Sequence, residues 1–526
     1  MWRAPSGAGI RWPSRPREWH ASAWRRSTNR APRARGDTLY SRNAAKLFMP
    51  ASNMKLVTGA VALVTLGADF RFETVFAADG PVREDVLDGN LLIIGRGDPT
   101  LSDRMRDDAM LPMREIADSL AALGIRRIVG DVRAHGDAFP DAIHGFGWGW
   151  DDFDFPYSAG VDELMFNEGF WRVFVRGGPA PGEPVTATSH GHTVPPLAVE
   201  AATIDPTIVL PGDTVPPRTR TRLRRSEDGT LVVTGVVLAG DSAVLTIAQR
   251  EPARAYLDAL REALADRGIE VIGAVSALSG LGDRSSAESN EAAQAAPGAA
   301  AVSGTPPGAP PAPSATPAPS AALGDTLIAD TIPPRIDTLF ATLSPPLSEI
   351  LPAFEKPSQN QIGEILFKTL GLEVTGVGTA DSGRVVVERQ LLAWGIAPDG
   401  FAVRDGSGLS RHNYLSPETI VRVLDVMRTD SAFAVFYESL PIAGVDGTIE
   451  TRMRGTPAEG NLRGKTGTLD RARALSGYVT APDGRLLIFS TLANNYTVPA
   501  ARRERGAGSD RSAAGGDPAR TPVITC

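Results

Sequence analysis

Two of the five lysines in this chain of 526 residues lie in short motifs with hydroxyl side chains, although the chain carries 54 lysines and arginines in total. Lys55 follows Ser52 by three positions, and Lys465 directly precedes Thr466 and Gly467. A guanidinium stays charged, whereas an ammonium that is buried or close to another cation can lose its proton and act as a general base. Lysines retained beside hydroxyls therefore indicate catalysis.

The Ser52-x-x-Lys55 pair begins a predicted helix. Apolar residues dominate positions 55–66 and Gly67 follows, which predicts an almost fully buried helix that opens at Ser52. Residues three positions apart lie about 5–6 Å apart on one helical face, so the Lys55 amine can take the proton of the Ser52 hydroxyl. The alternative is that Ser52 only caps the helix and that Lys55 is a surface residue of its first turn.

The segment Lys465-Thr466-Gly467-Thr468 precedes a predicted hairpin. Glycine beside the Lys-Thr pair lets a substrate approach a strand edge closely, and both side chains can bind a carboxylate. The alternative is a phosphate loop that starts at Gly460. Its spacing is one residue short of that motif, and neither a preceding strand nor a following helix is predicted.

A third pair, Ser358 and Asn360, precedes a predicted helix at 362–370. The Ser-x-Asn pattern recurs at 27–29 and 41–43, so by itself it has little weight. Its position matters more, because Ser-x-x-Lys, Ser-x-Asn and Lys-Thr-Gly in this order are the three motifs of penicillin-binding proteins and class A β-lactamases.

Three segments make the resemblance more specific, at 50–60, 405–413 and 465–468. With them the chain resembles the D-alanyl-D-alanine carboxypeptidase/endopeptidase family S13 of low-molecular-mass, class C penicillin-binding proteins. The roughly 300 residues between the first two motifs and the loop Asp-Gly-Ser-Gly-Leu-Ser-Arg-His-Asn favour this family over its relatives.

The resemblance covers about residues 37–497 and implies an α/β (α+β) fold. A catalytic domain similar to serine β-lactamases and transpeptidases is expected at 37–72 and 268–497, with one or more mostly β domains inserted at 73–267. Three other segments lack either hydrophobic periodicity or the large apolar residues of a core, and we expect them to be disordered or non-native. They are the arginine-rich head at 1–36, the Pro/Ala-rich loop at 285–323 and the tail at 498–526.

The resemblance implies a catalytic role for the first two motifs. Ser52 would attack the carbonyl between two D-alanines, with Lys55 as its general base. Ser358 and Asn360 would relay protons and hold the substrate amide. Water would then release the acyl-enzyme.

The third motif would bind the substrate. Lys465 and Thr466 would hold its terminal carboxylate, and the Lys465 cation would lower the pKa of Lys55. The backbone N–H groups of Ser52 and Thr468 would form the oxyanion hole.

An acidic and aromatic segment in the inserted region is a further candidate for substrate binding. Asp151, Asp152 and Tyr157 lie where the resemblance implies a patch near the site, and an acid beside aromatic rings can receive the free amine of a diamino-acid peptide stem. The alternative is that these rings belong to a domain core.

The composition argues against three other kinds of partner or site. The net charge is −7 although the head is strongly basic, so the rest of the chain is acidic and a nucleic-acid partner is not expected. Cys526 is the only cysteine, which excludes an intrachain disulfide. The histidines lack metal-ligand spacing, with His190 and His192 assigned to an exposed loop, so neither a metal nor a cofactor is expected.

The location and the activity each leave an alternative open. No run reaches the ~18 apolar residues of a membrane span and no export signal is visible, whereas the resemblance implies a periplasmic or extracytoplasmic enzyme that binds peptidoglycan stem peptides and β-lactam antibiotics. The rival enzymatic function is a β-lactamase or esterase with the same motifs. The rival outside catalysis is a non-catalytic cell-wall binding protein.

Overall fold

The computed structural model describes residues 38–189, 195–207, 217–277 and 336–497, and the backbone of one strand at Ala21–Arg26. The predicted loop at 285–323, the predicted tail and the histidines of the 190–192 loop lie outside the described residues. No helix in these ranges is long and apolar enough to cross a membrane.

The described helices fall mostly in the catalytic body, before and after the inserted region. They are α1 (Met54–Leu66), α2 (Asp103–Arg106), α3 (Leu111–Ala122), α4 (Pro252–Asp266), α5 (Leu347–Glu355), α6 (Asn360–Thr375), α7 (Ala380–Ala393), α8 (Pro417–Met427) and α9 (Phe433–Ser439).

The strands form several small sheets. They are β1 (Ala21–Arg26), β2 (Thr38–Arg42), β3 (Glu73–Ala78), β4 (Val82–Arg83), β5 (Val86–Leu87), β6 (Leu91–Ile94), β7 (Arg127–Ile128), β8 (Val132–Ala134), β9 (Phe170–Arg176), β10 (Thr186–Ser189), β11 (Leu197–Val199), β12 (Ala202–Ile204), β13 (Arg220–Arg225), β14 (Leu231–Leu238), β15 (Ser242–Ala248), β16 (Glu270–Val271), β17 (Val275–Ser276), β18 (Asp337–Leu343), β19 (Phe401–Ala402), β20 (Tyr414–Leu415), β21 (Arg463–Leu469), β22 (Ala472–Thr480) and β23 (Leu486–Asn494).

A five-stranded antiparallel sheet is the frame of the catalytic body. Its order is β2-β1-β23-β22-β21, so β21, which carries the Lys-Thr-Gly motif, lies at one edge. The predicted terminal hairpin is confirmed as β22 and β23. The first hydrophobic core joins α1, α5, α6, α7 and α8 to this sheet, with fully buried side chains such as Leu56, Phe354 and Ile488.

One strand of this sheet was not expected. The sequence predicts no structure in the head at 1–36, whereas β1 pairs with β2 on one side and with β23 on the other. Its composition gives no strand signal, because the bonds that define it are backbone bonds to strands far away in the sequence.

The inserted region has a hydrophobic core of its own, built from its short strands and from α3 and α4. The sequence predicts one continuous strand at 127–132 and another at 269–275, from their β-branched apolar residues. The structure divides each into two, β7 with β8 and β16 with β17, which belong to two different sheets. A glycine marks each division. A Cβ on Gly130 would lie 2.5 Å from the Gly89 carbonyl oxygen, and one on Gly273 would lie 2.3 Å from that of Gly130. At these glycines two backbone segments cross too closely for a residue with a side chain, so neither strand continues through the crossing.

The limits of the inserted region stay a prediction. Strands β16 and β17, which follow residue 267, pair with β7 and β8. Strand β18 pairs along β3, so the chain on both sides of the 278–335 segment is connected to the inserted sheets. The α/β architecture itself agrees with the fold class expected from the sequence.

Candidate active site

Ser52 lies in a 3-10 turn, Ala51–Asn53, immediately before α1. Its side chain is half-buried, whereas Asn53 and Lys55 on either side of Met54 are fully buried. The N-cap position of α1 belongs to Asn53, and no side chain caps the helix. The alternative reading of Ser52 as a helix cap and of Lys55 as a surface residue is therefore wrong.

Lys55 contacts Ser52 and two further acceptors. Its Nζ lies 3.0 Å from Ser52 Oγ, 2.6 Å from Asn360 Oδ1 and 2.8 Å from the Ser407 carbonyl oxygen. A neutral amine has two protons and one lone pair. Donation to the two carbonyl-type oxygens leaves that lone pair for the Ser52 hydroxyl proton, which is the arrangement of a general base.

The electrostatic environment supports the neutral form of this amine. Burial and, to a smaller extent, the nearby Lys465 cation lower the pKa of Lys55 to about 7, although Glu355, Asp405 and Glu364 act in the opposite direction. Desolvation disfavours the charged form of an amine, and a like charge does the same. The side chain can therefore exchange its proton near neutral pH.

The amide of Asn360 is oriented by the inserted region. Its Nδ2 donates to the Tyr157 carbonyl oxygen at 2.6 Å, so its Oδ1 must face Lys55. The next side chain, Gln361, donates through Nε2 to the carbonyl oxygens of Pro156 and Ala159 at 2.9 and 3.1 Å. These side chains of α6 thus fix residues 156–159 beside Lys55.

Ser358 stands apart from this network. It is half-buried, and no hydrogen bond joins its hydroxyl to another described residue. Its φ of 66° is in the left-handed region, which is costly for a residue with a Cβ and is found most often at functional sites. The structure therefore places Ser358 two residues before Asn360, without a hydrogen bond to Lys55.

Strand β21 lies directly against the turn that carries Ser52. Asn53 Nδ2 donates to the Lys465 carbonyl oxygen at 2.9 Å. A Cβ on Gly467 would lie 2.5 Å from the Pro50 carbonyl oxygen and 3.1 Å from Ala51 Cβ, so only glycine permits this approach. Because Lys465 lies inside a strand and not at the start of a helix, the phosphate-loop alternative lacks the structure that it requires.

The side chains of β21 divide between the interior and the surface. Lys465 is fully buried, and within the described residues its Nζ has one hydrogen-bond acceptor, the Thr466 carbonyl oxygen at 3.4 Å. Burial lowers the pKa of Lys465, and Glu355 raises it again. Thr466 Oγ1 donates to Thr448 Oγ1 at 2.7 Å, and Thr468 is exposed. Sequence patterns gave no signal for Thr448, which is 18 residues away.

The loop at 405–413 supplies the backbone that holds Lys55. Asp405 is fully buried and accepts bonds from the backbone nitrogens of Gly408 and Ser410 at 2.8 and 2.6 Å. Glu364 of α6 accepts from the Ser407 nitrogen at 2.8 Å, which fixes the peptide that precedes the Ser407 carbonyl. Burial raises the pKa of Glu364, and Asp405 raises it further.

The acidic and aromatic segment lies at the same site. Tyr157 donates its hydroxyl to Asp152 Oδ1 at 2.5 Å, and its ring stacks on Phe155 with centroids 5.3 Å apart. Burial and the Asp152 hydrogen bond raise the pKa of Tyr157. Asp151 and Tyr157 are exposed, so the reading as a domain core is not supported for them. Trp148 is buried instead and donates Nε1 to Asp405 Oδ2 at 3.1 Å.

Relatives of known sequence match this chain over most of its length. A D-alanyl-D-alanine carboxypeptidase of Actinomadura sp. (strain R39) is 33% identical over 486 residues, which are 89% of this chain and 77% of that protein. The D-alanyl-D-alanine carboxypeptidase DacB of Haemophilus influenzae is 23% identical over 460 residues, 87% of this chain and 82% of that protein.

A solved structure has the same fold. The crystal structure of penicillin binding protein 4 (dacB) from Haemophilus influenzae superposes with a TM-score of 0.67 at 22% identity, over 94% of this chain and 92% of that one. The model of the D-Ala-D-Ala carboxypeptidase 3 (S13) family matches residues 31–289 and 322–514, which include all three motifs. The family expected from the motifs is confirmed, and this chain belongs to the D-Ala-D-Ala carboxypeptidase 3 (S13) family of hydrolases.

Proposed function

We propose that Ser52 of this chain cleaves the D-alanyl-D-alanine bond of peptidoglycan stem peptides through an acyl-enzyme. The observation that carries the proposal is the set of three contacts around Lys55 Nζ, in which two carbonyl-type oxygens hold the amine and the Ser52 hydroxyl lies 3.0 Å away. A buried amine with a pKa near 7 is matched to general-base catalysis at neutral pH.

Each step has a residue in place. Ser52 Oγ transfers its proton to Lys55 and attacks the carbonyl carbon between the two D-alanines. The backbone N–H groups of Ser52 and Thr468 stabilise the oxyanion. The intermediate collapses, the C–N bond breaks, and the departing amine receives a proton from Lys55 directly or through Ser358. A water molecule, deprotonated by Lys55, then hydrolyses the ester.

The strand edge binds the end of the substrate. Lys465 is fully buried within β21, and we expect its positive charge to attract the terminal carboxylate of the substrate. We expect the hydroxyls of Thr466 and Thr448, which lie together, to donate hydrogen bonds to that carboxylate. Gly467 leaves room for the peptide along the strand, and Asn360 is positioned to hold the substrate amide.

The patch of Asp151, Asp152 and Tyr157 receives the free amine of the stem. Its position follows from the 2.6 Å bond between the Tyr157 carbonyl and Asn360, which puts the patch beside Lys55. Two carboxylates near a stacked aromatic pair attract a primary ammonium. We also place the enzyme in the periplasm or another extracytoplasmic space, where stem peptides are found.

A β-lactam antibiotic acylates the same serine. Its ring amide takes the position of the scissile bond, and its carboxylate takes that of the terminal D-alanine. A β-lactamase would release this adduct rapidly, whereas a peptidase that is blocked by it would release it slowly.

Release of D-alanine tests the proposal. Purified wild-type protein, the variant Ser52→Ala and the control Ser41→Ala are given a tripeptide that carries a free side-chain amine and ends in D-alanyl-D-alanine, and free D-alanine is measured. The wild type and the control should release D-alanine, and Ser52→Ala should not. Release by the Ser52→Ala variant at the wild-type rate would overturn the proposal, and peptidoglycan binding without any release would favour a non-catalytic wall-binding protein.

A further inference from the structure

A buried carboxylate that the proposed reaction does not use lies below the active site. Glu355 is the last residue of α5, and its side chain is fully buried. It packs against α1 one turn beyond Lys55, because a Cβ on Gly59 would lie 3.0 Å from Glu355 Oε1. The carboxylate therefore lies in the interior of the catalytic body, next to the helix that carries the general base.

Neither oxygen of this carboxylate accepts a hydrogen bond from a described residue. Such burial disfavours the anion unless charges of the opposite sign are near. Burial raises the pKa of Glu355, and Lys465 and, to a smaller extent, Lys55 lower it. Both lysines are fully buried as well, and the part of the chain that the structure describes gives Lys465 Nζ only the 3.4 Å contact to its neighbour's carbonyl. The two amines and this carboxylate thus share one interior.

Other charged groups around Glu355 have separate roles. Asp405 and Glu364 act on Lys55 from the 405–413 loop and from α6. The helix α9, which also packs on α5, carries Glu438, which is exposed and pairs with Arg463 at 3.1 Å. The neighbouring Lys356 is paired with Asp446 at 2.6 Å nearer the surface.

We propose that Glu355 is a positioning residue that keeps Lys465 charged. The proposal rests on the proposed role of Lys465. Lys55 has three partners within 3.0 Å, whereas the Lys465 amine has one carbonyl at 3.4 Å among the described residues, so Lys465 is the amine that lacks a counter-charge. An unpaired buried carboxylate favours the charged form of an unpaired amine in the same interior, and Glu355 raises the pKa of Lys465.

The pH dependence of activity is the consequence that can be measured. The acid limb of kcat/KM reports deprotonation of Lys55, and the alkaline limb reports loss of the Lys465 charge that attracts the substrate carboxylate. Glu355 raises the pKa of both lysines. The variant Glu355→Gln removes this charge with almost no change of shape, so both limbs should move to lower pH, the alkaline limb further.

The experiment compares kcat/KM between pH 5 and 10 for wild type, Glu355→Gln and the control Glu349→Gln, which removes an exposed carboxylate from the same helix. We expect the alkaline limb of Glu355→Gln to move by about one pH unit, a loss of about tenfold on that limb, and the control to match the wild type. A uniform loss with unmoved limbs would overturn the inference.

Two further measurements distinguish a failure of the inference from a variant that does not fold and from a failure of the proposed function. If Glu355→Gln does not fold, Glu355→Asp keeps the charge at a shorter reach and should move the alkaline limb in the same direction by a smaller amount. An Asp variant with wild-type limbs would contradict the inference. Activity that survives in Ser52→Ala would instead overturn the proposed function, since the inference makes no claim about the nucleophile.

Discussion

Two buried glutamates, one in the inserted region and one in the catalytic body, have opposite surroundings. The side chain of Glu168 is only 2% exposed. Its carboxylate accepts hydrogen bonds from Arg104 Nε at 2.9 Å, Arg172 Nη2 at 2.5 Å and Gln359 Nε2 at 2.8 Å. Glu355 is fully buried, and neither of its oxygens accepts a bond from a described residue.

The difference separates a paired carboxylate from an unpaired one. Three donors hold the carboxylate of Glu168, whose backbone has a left-handed φ of 62°, and one of these donors is Gln359, the middle residue of the Ser-x-Asn motif. Glu355 lacks such donors, so its proton is free to respond to the lysines. The hydrogen-bonded carboxylate of Glu168 stabilises the inserted region, whereas the unpaired carboxylate of Glu355 in the catalytic body can exchange its proton.

The largest effect is expected when proton exchange is blocked. Lys55→Arg leaves a permanent cation beside Ser52, so acylation should fall by roughly 10²–10⁴ across the whole pH range. The rate of acylation by benzylpenicillin measures this loss, and Lys46→Arg, which changes an exposed lysine, is the matched control. A variant that keeps one tenth of the wild-type rate would show that Lys55 does not act as the base.

The next effect is on stability and comes from the paired glutamate. Glu168→Gln removes the charge that two arginines share, and breaking a buried pair costs about 3–5 kcal/mol. We expect about 2–3 kcal/mol, because Arg104 is half-exposed and Arg172 keeps Asp103 at 2.8 Å.

Urea unfolding measures this cost, with Glu115→Gln as a control in which an exposed carboxylate loses its arginine. The control should unfold at the wild-type midpoint. Equal midpoints for Glu168→Gln and the control would remove the distinction between the two buried glutamates.

The smallest effect tests the contact between the regions. Trp148→Phe removes one donor from Asp405, and a hydrogen bond to a charged group contributes about 1.5–3 kcal/mol. Three other donors remain on Asp405, so a loss near the lower limit is expected. Thermal unfolding and benzylpenicillin acylation should show a modest loss of stability with acylation within tenfold of wild type. A larger loss of acylation at unchanged stability would assign Trp148 to substrate binding.

The sequence predicts those parts of the site that are contiguous in the chain. The amphipathic pattern of residues 252–266 predicts a helix with the bounds that α4 has, and α1 begins within two residues of its predicted start. The Ser-x-x-Lys pair can be recognised in the sequence because helical geometry places its members together. The family was predicted from the order of the three motifs together with the loop at 405–413 and the long segment between the first two motifs.

Other parts depend on contacts between distant segments. Glu355 and Glu364 belong to no sequence motif, and their contacts appear only when α5 and α6 pack below Lys55. The link from Tyr157 to Asn360 spans 203 residues, so no local pattern indicates it. The strands at 127–132 and 269–275 were predicted as continuous because the close crossing of Gly130 and Gly273 is a property of two segments together.

The central claim is that Ser52 is the acylating nucleophile, and an adduct with benzylpenicillin tests it most directly. Wild type and Ser52→Ala are incubated with the antibiotic, their intact masses are recorded, and any adduct is mapped to a peptide. We predict a stable gain of one penicilloyl group on the peptide with Ser52 in the wild type and no gain in the variant. A folded wild-type protein without an adduct, or an adduct that persists in Ser52→Ala, would contradict the claim.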